Sequence, residues 1–361
     1  MVVLILGAAM KRREFITLVG GVAAWPISAL AQQRAAKIHR IFWASTEAQP
    51  DPFVEGFREG LRELGYVEGN NLALQLRYAP GNPDALRSAL SELTRDKVDL
   101  AVSSGPAIRA MKAATDIPVL FAISGDPVEL GLVKSLARPG GNFTGSTFLS
   151  LELAGKRVEL MKDIFPQMRR LAVVSNTDHP GEPSEWQATH DASKALGIET
   201  LYVPFVGARE LDNALVTVGT TRADAMLVFP EGVTMVHRAR IAQFAVAQRL
   251  PSTFGWSEYC EAGGLLSFGA NQRATYFRLA TYADRILRGE DPANLPVEQP
   301  TKFELVVNRK TANALKIEIP ASILLRAERV IEWAIEPCPL LVHSRHRQLH
   351  RTCPLSGVKR T

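Results

Sequence analysis

Between residues 38 and 287 the chain alternates short apolar runs with stretches of helical periodicity. That alternation limits its fold more than any other feature. Residues 38–43, 72–78, 98–102, 119–123, 171–175, 199–204, 225–229, 252–254 and 265–268 read as strands; 119–123 and 225–229 are apolar throughout, and 72–78 alternates. Between them, Asp51-Pro52 opens a helix carrying Phe53, Phe57, Leu61 and Leu64, and residues 83–94 place Leu86, Leu90 and Leu93 on one face. Further helices are expected at 106–114, after Asp126-Pro127 with Leu130, Val133 and Leu136, and at 153–164, 185–196, 211–218, 236–248 and 273–287.

Strand–helix units with buried strands predict parallel sheets covered by helices on both faces. The units are too many for one comfortable sheet. A turn-rich stretch, Arg138-Pro139-Gly140-Gly141-Asn142 with Gly145, falls near the middle. The expectation is an α/β protein of two Rossmann-like lobes with parallel sheets and a hinge. Residues 38–145 with about 270–300 form the N-terminal lobe, and 146–269 with about 301–332 the C-terminal lobe. The crossovers fall near 145–150, 269–272 and 299–303.

The net charge of +5 suggests an acidic partner until it is located. Residues 1–31 carry +2 and residues 333–361 carry +4, so the body between them is at −1. A nearly neutral body offers no basic face for nucleic acid. The three cysteines, Cys260, Cys338 and Cys353, form no metal-ligand spacing, and a Cys338–Cys353 pairing stays open.

Lys11-Arg12-Arg13-Glu14-Phe15-Ile16 followed by the apolar stretch 18–24, Pro26 and Ala29-Leu30-Ala31 has the order of a secretory signal, with Gln32 first in the mature chain. The apolar run is too short for a lasting membrane anchor. The paired arginines suit a twin-arginine route, and a Sec route stands beside it. Residues 1–9 precede the charged region, which makes Met10 the expected natural start. The expected destination is the periplasm.

In open parallel sheets a ligand lies beyond the carboxyl ends of the strands. That rule selects Ser45 with Thr46 and the turn Ser103-Ser104-Gly105-Pro106, whose helix start suits a carboxylate or another anion. It also selects Ser124 and Asp126, Asn176, Phe229 and Glu231, and Trp256 with Tyr259. Asp126 suits a ligand ammonium and Glu231 a cation. Trp256 and Tyr259 suit an apolar wall. The plainer alternatives are helix capping for Ser104 and Asp126, and core packing for the aromatics. The chain has no G-x-S-x-G, Walker A, H-E-x-x-H or G-x-G-x-x-G motif, and its histidines are scattered. No catalytic residue, cofactor or metal site is expected.

Several segments now resemble a known family. The segment Phe57-Arg58-Glu59-Gly60-Leu61-Arg62-Glu63-Leu64-Gly65-Tyr66, the stretch from Gly125-Asp126-Pro127-Val128 to Asn142-Phe143-Thr144-Gly145, Ala262-Gly263-Gly264-Leu265, and Leu295-Pro296-Val297-Glu298 are similar to ABC transporter substrate-binding proteins of the bacterial tryptophan/tyrosine type. The resemblance covers roughly residues 10–332. It implies a type I periplasmic-binding-protein fold and a small-molecule ligand clamped between the lobes. An amino acid, aromatic for preference, is the leading ligand class. Delivery would be to an ABC permease and ATPase in the inner membrane. It further implies ligand contacts at Ser104 to Ala107, Ser124, Asp126 and Asn176. This sequence departs from the family at His179-Pro180-Gly181 and after Glu332, where a disordered tail from a frameshifted or read-through end is the expected account. The rival readings are an exported sensor presenting solute to a membrane receptor and an exported α/β enzyme.

Overall fold

The computed structural model describes residues 37–46, 52–79, 82–148 and 150–332. The export signal, the start at Met10, the tail from residue 333 and its two cysteines lie outside the described residues.

The first sheet contains β1 (His39–Ser45), β2 (Leu72–Tyr78), β3 (Leu100–Ser104), β4 (Val119–Ile123) and β5 (Phe143–Thr147), in the order β2-β1-β3-β4-β5, all parallel. Ile41 to Ala44 are fully buried because helices cover both faces of the sheet. The second sheet contains β6 (Arg170–Asn176), β7 (Glu199–Phe205), β8 (Ala225–Val228), β9 (Ser252–Phe254), β10 (Leu266–Gly269), β11 (Glu304–Asn308) and β12 (Arg329–Ile331). Its order is β12-β11-β10-β9-β8-β6-β7, and only the β10–β11 pair is antiparallel.

The helices of the first body are α1 (Pro52–Glu63), α2 (Pro83–Leu90), α3 (Glu92–Arg95) and α4 (Ala107–Ala114). The second body carries α5 (Ser150–Ile164), α6 (Glu182–Ala195), α7 (Gly207–Thr220), α8 (Gly232–Val236), α9 (Arg238–Ala247) and α10 (Ser257–Glu261). Helix α11 (Gln272–Leu287) then leaves β10 and packs on α1 and on strands β4 and β5, back on the first sheet. Helices α12 (Arg309–Leu315) and α13 (Ala321–Arg326) complete the second body.

The close seating of α11 on α1 depends on two glycines. A Cβ at Gly60 would stand 2.3 Å from the Phe277 carbonyl oxygen, and one at Gly56 2.8 Å from that of Arg273. After α11, Glu298 exchanges backbone hydrogen bonds with the end of β5, donating to Gly145 and accepting from Thr147, before the chain enters β11. The chain therefore passes between the bodies three times, after β5, after β10 and before β11.

Four local readings are corrected. The helix expected around Leu130 to Leu136 is a run of turns, broken where Gly131 adopts a left-handed φ of +64°. The single helix expected at 83–94 is two, divided at Ser91. Leu64 lies past the end of α1 and is exposed. Strands β5, β11 and β12 add to the expected set, and of these only β5, with Gly145 at its centre, lies among turn residues.

Candidate ligand site between the lobes

The carboxyl ends of β1, β3 and β4 face those of β6, β8 and β9 across a cleft that holds two spaces. The outer is a cavity of about 590 Å³ between Thr46, Asn82, Pro106 and Arg109 of the first lobe and Asn176, Asp178, Val206 to Glu210, Val233 and His237 of the second. The inner has a volume of only about 20 Å³. Phe53, Gly105, Ser124, Phe148 and Tyr276 close on it from one side and His179, Pro180, Pro230, Glu231 and Trp256 from the other. A space of that size holds about one water.

Aromatic rings form the walls of the inner space. Phe53 stacks on Tyr276 with ring centroids 5.1 Å apart, and Trp256 meets Phe53 and Phe148 edge-on at 5.9 and 5.7 Å. Trp256 is buried, and its indole N–H has no partner among the described residues.

The polar floor is built from both lobes. Ser124 Oγ lies 2.6 Å from His179 Nε2, and both side chains are buried. Glu185 approaches the same ring nitrogen at 3.5 Å. Glu231 caps α8 by accepting from the backbone N–H groups of Val233 at 2.8 Å and Thr234 at 2.6 Å. Burial pushes the Glu231 carboxyl above its ordinary range, against the pull of those N–H donors and of His179. Asn176 donates to Glu231 at 3.3 Å and accepts from the backbone of Asp178 and Gly207. Behind this floor lies Arg157, which donates to the Phe268 carbonyl at 2.9 Å. Burial pulls Arg157 down to about 10, with Glu185 opposing.

The lobes touch at this edge of the cleft. Gly125 and Gly181 meet backbone to backbone, so that a Cβ on either would come within 3.0 Å of the other's Cα. Arg109 reaches the Pro180 carbonyl at 3.5 Å and Ser184 reaches Glu129 at 3.2 Å.

Of the residues selected from the sequence, Gly105, Ser124, Glu231 and Trp256 line the inner space, and Thr46, Pro106 and Asn176 the outer. Ser45 and Ser103 are buried at the ends of β1 and β3, and Ser104 closes β3. Ala107 is buried as the first residue of α4, whose N-cap is Pro106, which has no side-chain hydrogen bond to give. Three residues lie elsewhere. Phe229 and Tyr259 pack into the second lobe's core, with Tyr259 stacked on Phe254. Asp126 is exposed, lines neither space, and accepts from the backbone N–H of Val128 at 2.7 Å and of Glu129 at 3.3 Å. With no helix following, it closes a turn and is not the helix cap of the plainer alternative. His179, Glu185 and Arg157 went unselected. The His-Pro-Gly sequence was the available signal for His179, and nothing local marks a buried arginine in an amphipathic helix.

Chemically the floor can hold a polar or charged group. Serine and glutamate both address Nε2 of His179, and Nδ1 has no partner among the described residues. A Ser–His–acid relay needs the acid on the other ring nitrogen. Among the described residues no group of His, Cys, Asp or Glu is placed to hold a metal ion.

A family model described as ABC transporter substrate binding protein matches residues 47–331. The chain belongs to that family. A tyrosine-binding protein of Clostridioides difficile (strain R20291) is 27% identical over 271 residues, 74% of this chain and 77% of the relative. Among solved structures, a conserved domain protein of Vibrio cholerae superposes with a TM-score of 0.75 at 26% identity, covering 81% of this chain and all of the other. An ABC domain of Streptococcus pneumonia in complex with L-Trp gives 0.74 at 23% identity, covering 82% of this chain and all of the other. The fold of this substrate-binding protein is the type I periplasmic-binding-protein fold.

Proposed function

We propose that the chain is the periplasmic solute-binding component of an ABC importer. It captures an amino acid with an aromatic or other apolar side chain and hands it, unaltered, to a permease and ATPase in the inner membrane. The observation that carries this reading is the aromatic inner space, closed between the strand ends of two lobes and floored by buried polar groups from both. The names of the relatives, a tyrosine-binding protein and an L-Trp complex, agree with it. The export signal ending at Ala31 supports the location, by the twin-arginine or the Sec route. Among the described residues no helix is long and apolar enough to cross a membrane.

In this reading the two lobes are residues 38–145 with 270–300 and 146–269 with 301–332, and the three crossings are the hinge. The ligand carboxylate meets the backbone at Gly105 to Ala107, where the start of α4 favours an anion. Its ammonium meets Glu231, the acidic side chain that faces the inner space. Asn176 and Trp256 complete the contacts. A space of about 20 Å³ is far too small for such a solute, so capture requires the lobes to part and then to close around it with Phe53, Phe148 and Trp256 set further apart than here. Isothermal titration of the mature chain against tryptophan, tyrosine, phenylalanine and leucine is the test. Saturable binding of at least one is expected. Binding of none, or chemical conversion of a bound compound, would overturn the reading.

A further inference from the structure

A third cavity, of about 560 Å³, opens between the lobes and shares only Phe53 with the aromatic space. Its first-lobe wall comes from α1 and the start of α11, and its second-lobe wall from α8, α10, β11 and β12. Two arginines line it, and each is already held by a carboxylate. Arg273 pairs with Glu59 at 2.6 Å and Arg329 with Glu261 at 2.7 Å. Glu258, Glu304 and Glu328 also line it and form no ion pair among the described residues. The cavity therefore keeps an excess of negative charge.

A second observation is independent of that charge. Gln272, the first residue of α11, is 2% exposed and lines the cavity, yet neither its amide oxygen nor its amide nitrogen has a partner among the described residues. A buried amide left without partners is costly, and a ligand that satisfies it recovers that cost. Glu258 Oε2 is likewise buried without a partner. Phe53, Met235 and Val306 supply an apolar side to the space. No group of carboxylates is placed to hold a metal ion among the described residues, which leaves an organic cation.

We propose that this cavity is a second ligand site, for a small organic cation bearing a primary amine or a guanidinium group. Glu258 is its charge partner and Gln272 its hydrogen-bond partner. Burial, with Glu261 and Glu304 close by, raises the Glu258 carboxyl above its usual range against the pull of Arg238, and a bound cation adds to that pull. Because both lobes wall the cavity, an occupant holds them in this arrangement.

Isothermal titration of the mature chain with agmatine tests the assignment. One saturable site is expected. Glu258→Gln should weaken it roughly 10- to 150-fold, the worth of a charge-assisted hydrogen bond. Gln272→Leu, of similar volume, should weaken it by about fivefold to tenfold. Melting temperature monitors folding, and Glu258→Gln keeps the test valid if Gln272→Leu folds poorly. Both residues lie outside the aromatic cleft, so amino-acid binding in the variants should match the parent and reports separately on the solute-binding reading. Absence of agmatine binding, or equal affinity in the parent and Glu258→Gln, would overturn the second site.

Discussion

Ser124 Oγ and His179 Nε2 lie 2.6 Å apart, one residue at the end of β4 and the other just after β6, so a single buried hydrogen bond ties the two sheets together across the cleft. Gly125 and Gly181, the neighbours of this pair, touch at backbone distance. Ser124→Ala removes the bond without adding bulk. A neutral hydrogen bond is worth about 0.5–1.5 kcal/mol net, so ligand affinity should fall roughly 2- to 10-fold. The loss should lie in the dissociation rate, because the bond exists only once the lobes have closed. Stopped-flow fluorescence with the bound amino acid measures this. An unchanged dissociation rate would remove the bond from the closing mechanism.

Glu231 predicts a pH dependence of defined sign. Its folded-state pKa is raised, chiefly by burial. The folded chain therefore holds that proton more tightly than the unfolded chain does. Stability from this group is fully present below the unfolded value and is lost as pH rises through the folded one. Glu231→Gln has no such proton. The melting temperature of the parent, measured relative to Glu231→Gln, should fall from acid pH towards neutrality. A difference that stays flat with pH would mean that Glu231 does not titrate in this window. At neutral pH the same variant should weaken amino-acid binding about 10- to 150-fold if the carboxylate meets the ammonium.

Asp126 should be silent in binding. Its carboxylate is exposed and serves the turn into Pro127. Asp126→Asn retains an acceptor for that turn and should bind as the parent does. Asp126→Ala should lower stability by about 1 kcal/mol with no loss of affinity. Urea denaturation and titration separate the two effects, and a tenfold affinity loss in Asp126→Asn would return the residue to the ligand site.

Gly60→Ala should destabilise the first lobe by about 1–3 kcal/mol, because the new methyl carbon meets the backbone of α11 rather than a flexible side chain. Chemical denaturation should show an earlier midpoint. Gly65→Ala is a useful contrast, since nothing lies within 4 Å of a Cβ there and its penalty comes only from a φ of +87°.

The alternation of apolar runs and helical faces was legible because buried parallel strands have little latitude in composition. Ile41 to Ala44 and Leu171 to Val174 are fully buried. Strand β5 was not legible. Phe143-Thr144-Gly145-Ser146-Thr147 reads as a turn, and it becomes a strand through its pairing with β4. The site was legible in part for the same kind of reason. Strand ends pick out Ser124, Asn176 and Glu231, since each follows a recognisable apolar run. His179 and Tyr276 reach the cleft only through tertiary placement, and the close seating of α11 that brings Tyr276 there rests on glycines that carry no pattern of their own.

The return of α11 to the first sheet also has a consequence for how the chain is made. Strand β5 ends at Thr147, and the helix that covers α1 begins at Gln272. Strands β6 to β10 of the second sheet are all synthesised in between. At about 5–20 residues per second the face of α1 that carries Gly56 and Gly60 waits on the order of ten seconds for its partner. Until then the first five strands are a sheet covered on that side by α1 alone, and the remaining apolar surface is exposed to proteases and to premature association. The helix that fastens the first lobe is a late arrival, and a chain released before residue 272 has no route to a finished first lobe.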